Sequence, residues 1–515
     1  MIVKRILLAG IFQVVVLSLD FAQDFPPTLT KQQMYEDFDE LIHILKEGNP
    51  QLTIRQAVTG YNQLDSAKLL RFAIDTIENY YHFIQLLDDV LDYMFDIHAV
   101  MANQVNEKWD DTAGIDVKMA DEIYSKYRQW FAALFWRKSP RPFPSNPVYI
   151  DGNYYIHGIH TLTTKEEDTL ILKNVKIISY NDIPYKDYVN ARLGGSSSIR
   201  WDFKRNQYFS KSSSFLRKGN LVIENENGNI DTVNLDKYYG IDIVQVSDVS
   251  LLHQSDFKLL GHPSQREKKV LYFEKDKILY IYLNDMNDAE NVFVEKVKTL
   301  GKDKELKKVI IDVRGNRGGG DRFWHILLKA IVADSLIYDV KMAYCNSELM
   351  HKRLGIHASS AKVQTFEWLP NTEFLVAQYA PSYFVPDSNS LKYKGKIYVL
   401  QDEDVFSSGH ALTSYCRHIE QLVSVGESTG LLAGFGLMPL LYQLKNSKFS
   451  FRLAPAIDVT NVNSALEVYQ DFPEILIEFP FEEKIKALDY KKFDMQNENC
   501  LYKYDYLFKK VLEME

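Results

Sequence analysis

The sequence predicts an α/β protein in three parts: a helical N-terminal domain, a small β-rich module and a core built on a parallel sheet. Three observations support this fold class. Apolar residues recur at helical spacing from about Thr28 to Trp136. Alternating, β-rich runs then follow a Pro-rich linker. From about Lys268 onward, strand-like and helix-like segments alternate, which is typical of parallel β-α-β units.

The composition is that of a globular protein. The chain has 515 residues, too many for one ordinary core, and 46% of them are hydrophobic and 25% charged. The net charge of -9 argues against a nucleic-acid partner, because binding nucleic acid needs a basic surface. The three cysteines are widely spaced, so neither a disulfide framework nor a metal site is predicted.

The N-terminus has the order of a signal peptide. Lys4 and Arg5 precede an apolar stretch at residues 6–19, and the small Ala22 follows. The stretch is shorter than the ~20 residues that a membrane-spanning helix needs, and a buried N-terminal helix is the alternative. We expect residues 1–22 to be removed and the mature protein to be periplasmic or extracellular, without a stable membrane span. The oligomeric state is left open.

Residues 23–140 are predicted to form the helical domain. The segment YEDFDELIHILKEGNP has helical periodicity and stops at its Gly-Asn-Pro end. The segment YYHFIQLLDDVLDYMFDIHAVMAN predicts a second long helix, with Asp96 and His98 near its end. A third helix is predicted over YSKYRQWFAALFW, just before the Pro-rich linker KSPRPFPSNP.

The β-rich module is placed at residues 146–247. Strands are predicted over VYIDGNYYIHGIH, TLILKNVKIISYN and LVIENENGNIDTVNL, which alternate or are rich in β-branched residues and contain Asn/Gly turns. His157 and His160 are close in sequence, but a strand is a poor basis for a metal site. The core is placed at residues 266–515, with strands over KILYIYL, KKVIIDV, KIYVLQ and QLVSVG and helices between them.

Two loops after predicted core strands carry the candidate chemistry, since open parallel sheets bind ligands beyond the carboxyl ends of their strands. In VIIDVRGNRGGGD, four glycines occur in the six residues from Gly315 to Gly320. Free amides in such a turn can hold an anion. The alternative is a tight strand-to-helix turn. The pattern fits neither GxGxxG nor a P-loop.

The second loop is VFSSGHALTSYC, which begins at Val405. Ser407 and the adjacent Ser408 lie at a strand-to-helix junction, where the helix N-terminus offers free amides to a developing oxyanion. One reading is therefore that Ser407 is a nucleophile, with Ser408 as its competitor. The other is that either serine only caps the helix.

The order of VIIDVRGNRGGG, YVLQDEDVFSSGHAL and VGESTG resembles the C-terminal-processing (tail-specific) and tricorn-core serine peptidases. Their usual forms are D-x-R-x-N-x-G-G after a strand, then S-x-x-E or a variant, then G-E-x-T-x-G. The likeness covers about Lys268 to Phe479. It implies a crotonase-like (ClpP/crotonase) core preceded by a PDZ-like module, and VKIISYNDIPYKDY resembles a degraded form of a strand of that module.

The resemblance implies a nucleophile at Ser407, which precedes Glu427 of the GExT motif by 20 positions, as in the family pattern. It implies oxyanion donors at the amides of Ser408 and of Gly318 or Gly319. His410 departs from the family, since many members have Glu at that position. No cofactor is implied.

The general base cannot be the lysine of the processing branch, because Leu432 stands at its position. The tricorn branch uses a histidine from the N-terminal region, which matches His98 in FDIHAV, and a neutral imidazole suits that role. A capping or solvated histidine is the alternative. Glu467, six residues before Pro473, resembles the glutamate that orients this histidine.

The sequence therefore predicts an exported serine-type peptidase that acts on a peptide or protein substrate. Two other functions stay open. One is a catalytically inactive peptide-binding protein on the same fold, favoured by Leu432, His410 and the degraded PDZ-like stretch. The other is an esterase-type acyl hydrolase with the same nucleophile.

Overall fold

The computed structural model describes residues 28–96, 98–103, 114–138, 147–164, 168–190, 199–210, 219–242, 266–287, 291–354, 361–429, 439–490 and 493–514. The predicted signal peptide and Leu432 lie outside these residues. Within the described part of the chain, no helix combines the length and the apolar character needed to cross a membrane.

The N-terminal region is helical, as the spacing of its apolar residues predicts. Its elements are α1 (Lys31–Gly48), α2 (Gln51–Thr59), α3 (Gln63–Lys68), a 3-10 helix (Leu69–Thr76), α4 (Tyr80–Asp92), β1 (Val100–Met101) and α5 (Val117–Lys138). A capping box between Thr30 and Gln33 begins α1. The helix ends at Gly48, one residue before the asparagine that precedes a proline.

The predicted second helix is shorter than expected. Helix α4 ends at Asp92, and Phe95 has a left-handed backbone with φ of 49°. The carboxylate of Asp96 then accepts the backbone N–H of His98 at 2.9 Å, which favours a turn over continued helix. His98 therefore lies in a loop that leads directly into β1, and the prediction that it ends a helix is wrong.

The middle region is an antiparallel β module. Its elements are β2 (Val148–Ile150), β3 (Asn153–Thr164), β4 (Thr169–Tyr180), β5 (Ile183–Pro184), α6 (Tyr185–Asn190), β6 (Ile199–Asp202), β7 (Gln207–Ser210), β8 (Asn220–Glu224), β9 (Ile230–Asn234), a 3-10 helix (Leu235–Lys237) and β10 (Tyr238–Asp242). The main sheet has the order β10-β3-β4-β8-β9, with β2 beside β3 and β5 beside β4. The β6–β7 hairpin pairs separately.

The remaining elements form the core. They are β11 (Lys269–Phe273), β12 (Ile278–Tyr282), α7 (Val292–Gly301), β13 (Lys308–Asp312), α8 (Asp321–Ile331), β14 (Leu336–Tyr338), β15 (Lys341–Cys345), α9 (Glu348–Leu354), β16 (Lys362–Phe366), β17 (Leu369–Gln378), β18 (Ser382–Phe384), β19 (Ile397–Gln401), α10 (Ser408–Cys416), β20 (Leu422–Gly426), β21 (Leu440–Gln443), β22 (Ser450–Leu453), β23 (Ala456–Asp458), α11 (Ala465–Tyr469), β24 (Ile475–Leu476), α12 (Phe481–Tyr490), α13 (Glu498–Tyr504) and α14 (Tyr506–Leu512).

A six-stranded sheet with the order β11-β12-β13-β19-β20-β24 organises the core. Only β11 is antiparallel to its neighbour; the other pairs are parallel. Strands β12 and β19 are buried along their whole length, in keeping with a sheet covered on both faces. The fold is thus mixed α/β. Because β13 and β19 are neighbours, the loops that follow them emerge side by side at one edge of the sheet.

Asp312 and Arg314, which follow one another closely at the end of β13, anchor helix α14. The Arg314 guanidinium binds both carboxylate oxygens of Asp312 and both of Asp505, which is also the N-cap of α14. The hydroxyl of Tyr280 donates to Asp312 at 2.6 Å. Bidentate pairing of this kind fixes geometry as well as charge, so these residues hold the sheet and the last helix together.

The three parts of the chain share hydrophobic clusters. Phe38 and Leu87 from the N-terminal helices pack in one cluster with Phe449 and Phe451, and β1 pairs antiparallel with β22. A second cluster combines Phe95 with residues of the β6–β7 hairpin and of α11. The N-terminal region therefore folds back onto the core, which brings the loop of His98 to the edge of the sheet.

Candidate active site

Ser407 has a strained backbone at the junction of β19 and α10. Its φ is 54° and its ψ is −125°, a conformation that L-residues rarely adopt. A sharp strand-to-helix turn of this kind exposes a nucleophilic side chain. The Ser407 side chain makes no capping hydrogen bond with α10, so the capping alternative lacks its defining contact.

Ser408 differs from Ser407 in accessibility. Its side chain is 4% exposed, and its Oγ is buried without a hydrogen-bond partner in the part of the chain that the structure describes. Ser407 is only partly buried. Of the two serines, Ser407 is the one that a substrate can reach.

Two turns approach each other closely: the glycine turn, residues 315–320, and the serine turn, residues 406–408. Gly318 has φ of 102°, and a Cβ built on it would lie 2.6 Å from the Cβ of Ser407 and 3.0 Å from its Oγ. The same position would lie 3.0 Å from the backbone nitrogen of Ser408. Only glycine fits such an approach, so the structure brings together the two loops that the sequence singles out.

The amides of the two loops are not equivalent. The N–H of Gly318 donates to Oδ1 of Asn316 at 2.8 Å and is therefore engaged. The backbone N–H groups of Gly319 and Ser408 make no hydrogen bond among the described residues. Gly319 and Ser408 are thus the better candidates for oxyanion donors, whereas Gly318 supplies the close approach.

His98 lies beside the turn that contains Ser407. Its ring packs on that of Phe406, the residue before Ser407, with the centroids 4.5 Å apart. Its Nδ1 is buried and lies 4.0 Å from Oδ1 of Asp96, and the side chain is 18% exposed. Burial lowers the pKa of His98 from its ordinary value, although Asp96 partly offsets this effect. The imidazole is therefore neutral at neutral pH, as a general base must be.

Glu467 makes local contacts instead of the predicted contact with His98. It lies in the first turn of α11, where its Oε2 accepts the N–H of Asn463 at 2.9 Å. Its own N–H donates to Oγ of Ser464 at 3.2 Å, which completes a capping arrangement. No hydrogen bond joins Glu467 to His98 among the described residues, and its predicted orienting role stays a prediction.

A buried polar cluster involving α10 was not predicted from the sequence. Nε2 of His410 lies 3.4 Å from Oδ2 of Asp471, and both side chains are 2% exposed. The Thr413 hydroxyl donates to the same carboxylate at 2.9 Å, and Arg417 lies 3.5 Å from its other oxygen. Burial lowers the pKa of His410, while Asp471 opposes the shift. One feature of the sequence could have indicated this cluster: His410 stands at a position where many members of the resembled family have Glu.

The glutamate of the GExT motif has a structural partner. Glu427 forms an ion pair with Lys484 of α12. Burial opposes the charge of Lys484, but the Glu427 carboxylate raises its pKa above the ordinary value. A lysine held protonated in this way cannot serve as a general base, so Lys484 does not replace the lysine that is missing at Leu432.

Within the described residues, no group of three or more His, Cys, Asp or Glu side chains is arranged to bind a metal ion. His157 and His160 lie on the same strand, and Nε2 of His160 is hydrogen-bonded to the His157 carbonyl at 2.8 Å.

Comparison with known families assigns the core. Residues 277–467 match the model of peptidase family S41. This segment is an S41 peptidase domain. The S41 domain contains the glycine turn, Ser407 and Glu427, whereas His98 precedes it. The family makes the chain a serine-type peptidase, a hydrolase, and implies a peptide or protein substrate.

Several solved structures are similar to the chain that carries the S41 domain. Mature CPAF is 13% identical, with 94% of this chain and 97% of that chain covered and a TM-score of 0.49. A putative peptidase from Parabacteroides merdae is 13% identical over 94% and 96% of the two chains, with a TM-score of 0.43. The photosystem II D1 C-terminal processing protease is 12% identical over 88% and 95%, with a TM-score of 0.34. No curated protein matches the chain.

Proposed function

We propose that this chain is an exported serine peptidase that cleaves peptide bonds through an acyl-enzyme on Ser407. One observation carries the proposal: the backbone of Ser407 is strained at φ 54° and ψ −125°, and its side chain meets the glycine turn instead of capping the helix. Strain at a serine that substrate can reach is expected where the conformation serves a reaction.

The reaction follows from the placement of the side chains. Ser407 Oγ attacks the peptide carbonyl carbon, and His98 accepts the hydroxyl proton and then passes it to the leaving amine. Water, deprotonated by the same imidazole, then releases the acyl group. Because Nδ1 of His98 is buried on the side of Asp96, Nε2 is the nitrogen left for Ser407.

His98 and Ser407 are not hydrogen-bonded among the described residues, so substrate binding must bring them together. Hydrogen bonds of this kind are often long in free enzymes and shorten in the substrate complex. Asp96 keeps the His98 loop near Ser407, because its carboxylate accepts the backbone N–H of His98 at 2.9 Å. The proposed role of Glu467 is to orient His98 in this network.

The negative oxygen of the tetrahedral intermediate is proposed to bind the amides of Ser408 and Gly319, with Gly318 giving the space for close approach. Two preorganised donors at this point stabilise the transition state, and each is typically worth a factor of about 10²–10³ in turnover.

The other elements have proposed roles that follow from the resemblance. The core is proposed to be crotonase-like, and the module at residues 146–247 to be PDZ-like and to guide the peptide. Export to the periplasm or the cell exterior is proposed from Lys4, Arg5 and the apolar stretch behind them. Sequencing the N-terminus of protein from the native host tests export, and an intact Met1 on the mature protein would contradict it.

Labelling with a fluorophosphonate probe tests the nucleophile. The probe should modify Ser407 in the intact chain, and Ser407→Ala should abolish both labelling and peptide cleavage. Ser408→Ala is the matched control, because it removes the neighbouring hydroxyl and retains the amide. Absence of labelling in folded protein would favour the inactive peptide-binding function. Labelling with turnover of esters but of no peptide would favour the esterase.

A further inference from the structure

Asn316 lies within the glycine turn and connects it to the loop of Ser407. Its fully buried side chain donates from Nδ2 to the Leu283 carbonyl at 2.9 Å and accepts the Gly318 N–H at 2.8 Å. Its main-chain oxygen accepts the N–H of Phe406 at 2.9 Å. A single residue therefore connects the end of β12, the glycine turn and the residue before the nucleophile.

The nucleophile helix also packs directly on this asparagine. A Cβ built on Gly409 would lie 2.9 Å from Oδ1 of Asn316 and 3.1 Å from its main-chain oxygen. Gly409 is the second residue of α10, a position where most residues have a higher helix propensity than glycine. The close contact with Asn316 explains why a side chain does not fit there.

The hydrogen bonds of the glycine turn set the direction of the Gly319 amide. Met286, just beyond β12, donates its N–H to the Gly318 carbonyl and accepts the N–H of Gly320, each at 2.9 Å. Successive amides of an extended segment point to opposite sides, so the Gly319 N–H points away from Met286. In the order β12-β13-β19, the opposite side is that of β19 and the Ser407 turn.

We propose that Asn316 is a positioning residue that selects the amides of the oxyanion hole. By accepting the Gly318 N–H, it holds the turn in the form that directs the Gly319 N–H toward the serine turn. Its main-chain oxygen accepts the Phe406 N–H and thereby fixes the distance between the Ser408 N–H and the glycine turn. This inference rests on the proposed function, because it assigns a role to Asn316 in the same site.

The isosteric variant Asn316→Asp tests the proposal. It keeps an oxygen that could accept the Gly318 N–H, but it removes the donor to the Leu283 carbonyl that holds this oxygen in place. We expect kcat to fall by about 10²-fold or more, with KM changed less than about threefold, because only the transition state carries the oxyanion. The rate of fluorophosphonate labelling should fall in parallel.

Asn284→Asp is the matched control. Asn284 follows Leu283 directly, and its amide donates to the Arg266 carbonyl at 2.8 Å; within the described part of the chain, no hydrogen bond joins its side chain to the glycine turn. This variant should keep kcat within about threefold of the original chain. A large loss in the control would mean that a carboxylate anywhere near the end of β12 disturbs the site, and would overturn the specific role of Asn316.

Gly409→Ala tests the same contact without removing the asparagine, and it guards against an Asn316 variant that fails to fold. It should lower kcat by about tenfold or more and leave KM little changed, because the new Cβ displaces the Asn316 side chain. If both folded variants keep the original kcat and labelling rate while Ser407→Ala abolishes them, the proposal for Asn316 is wrong and the proposed function stands. If Ser407→Ala has no effect, the proposed function itself is wrong.

Discussion

The imidazole of His98 packs on the phenyl ring of Phe406, with ring centroids 4.5 Å apart. Phe406 is the residue before Ser407, so the candidate base touches the turn that presents the candidate nucleophile. These two residues come from parts of the chain that are more than 300 positions apart. The contact is the direct evidence that the N-terminal region contributes to the edge of the sheet where Ser407 lies.

Replacing His98 by alanine should reduce kcat for peptide cleavage by about 10²–10⁴-fold, the usual contribution of a general base, and should change KM much less. Steady-state kinetics on a peptide substrate measures both. His351→Ala is the control, since His351 is exposed on α9 and its side chain is hydrogen-bonded to the nearby Asn346. Equal losses in the two variants would argue against His98 as the base.

The activity should persist to a pH below the ordinary pKa of histidine. Burial lowers the pKa of His98, so the neutral base survives until the pH falls below that lowered value, and kcat/KM then declines as the imidazole protonates. Because the Asp96 carboxylate raises this pKa, Asp96→Asn should move the acidic limb of the profile further toward low pH. A shift of the limb toward higher pH would contradict the assignment of the limb to His98.

Gly318→Ala should abolish peptide cleavage and destabilise the fold. A left-handed backbone costs about 1–3 kcal/mol for a residue with a side chain, and here the new Cβ would also lie 2.6 Å from that of Ser407. Gly228→Ala is the control, since Gly228 has φ of 79° with no atom within 4 Å of its Cβ position. Urea unfolding should show the larger loss for Gly318→Ala; equal losses and retained activity would show that the loops are not in contact.

Asp471→Asn should lower the free energy of unfolding by about 1–3 kcal/mol, because the buried partners Thr413, His410 and Arg417 lose a charged acceptor. Chemical denaturation measures the change, with the exposed Glu226→Gln as the control. Since Asp471 raises the pKa of His410, its removal should also lower that pKa further, which NMR of the imidazole can follow. An unchanged stability would mean that the cluster is incidental.

The sequence predicts the core well because each signal is local. The strands KKVIIDV and KIYVLQ are found as β13 and β19, and their parallel pairing brings the glycine turn to Ser407 without any further assumption. The end of α4 could not be predicted in this way. The apolar pattern continues past Asp92, and only the left-handed Phe95 and the turn at Asp96 interrupt the helix.

Several contacts around the candidate site join residues that are far apart in the sequence, and no periodic pattern of residues predicts them. The bond between Asp471 and the Thr413 hydroxyl spans 58 positions, and Glu467 fits the motif expected for an orienting glutamate while its carboxylate caps its own helix. Similarly, no pattern in the N-terminal helices indicates that Phe38 packs against Phe449 and Phe451. Such features depend on how finished elements pack together, which a single sequence does not show.

The short strand β1 holds the loop of His98 against the core. Val100 and Met101 pair with Arg452 and Phe451, and His98 lies only two residues before the first of these pairs. A slip of one residue in that pairing would carry His98 about 3.3 Å along the strand and reverse the side on which each following side chain emerges. Two residue pairs at the edge of the core therefore fix where the proposed base stands relative to Ser407, and a general base must come within about 2.6–3.2 Å of its nucleophile.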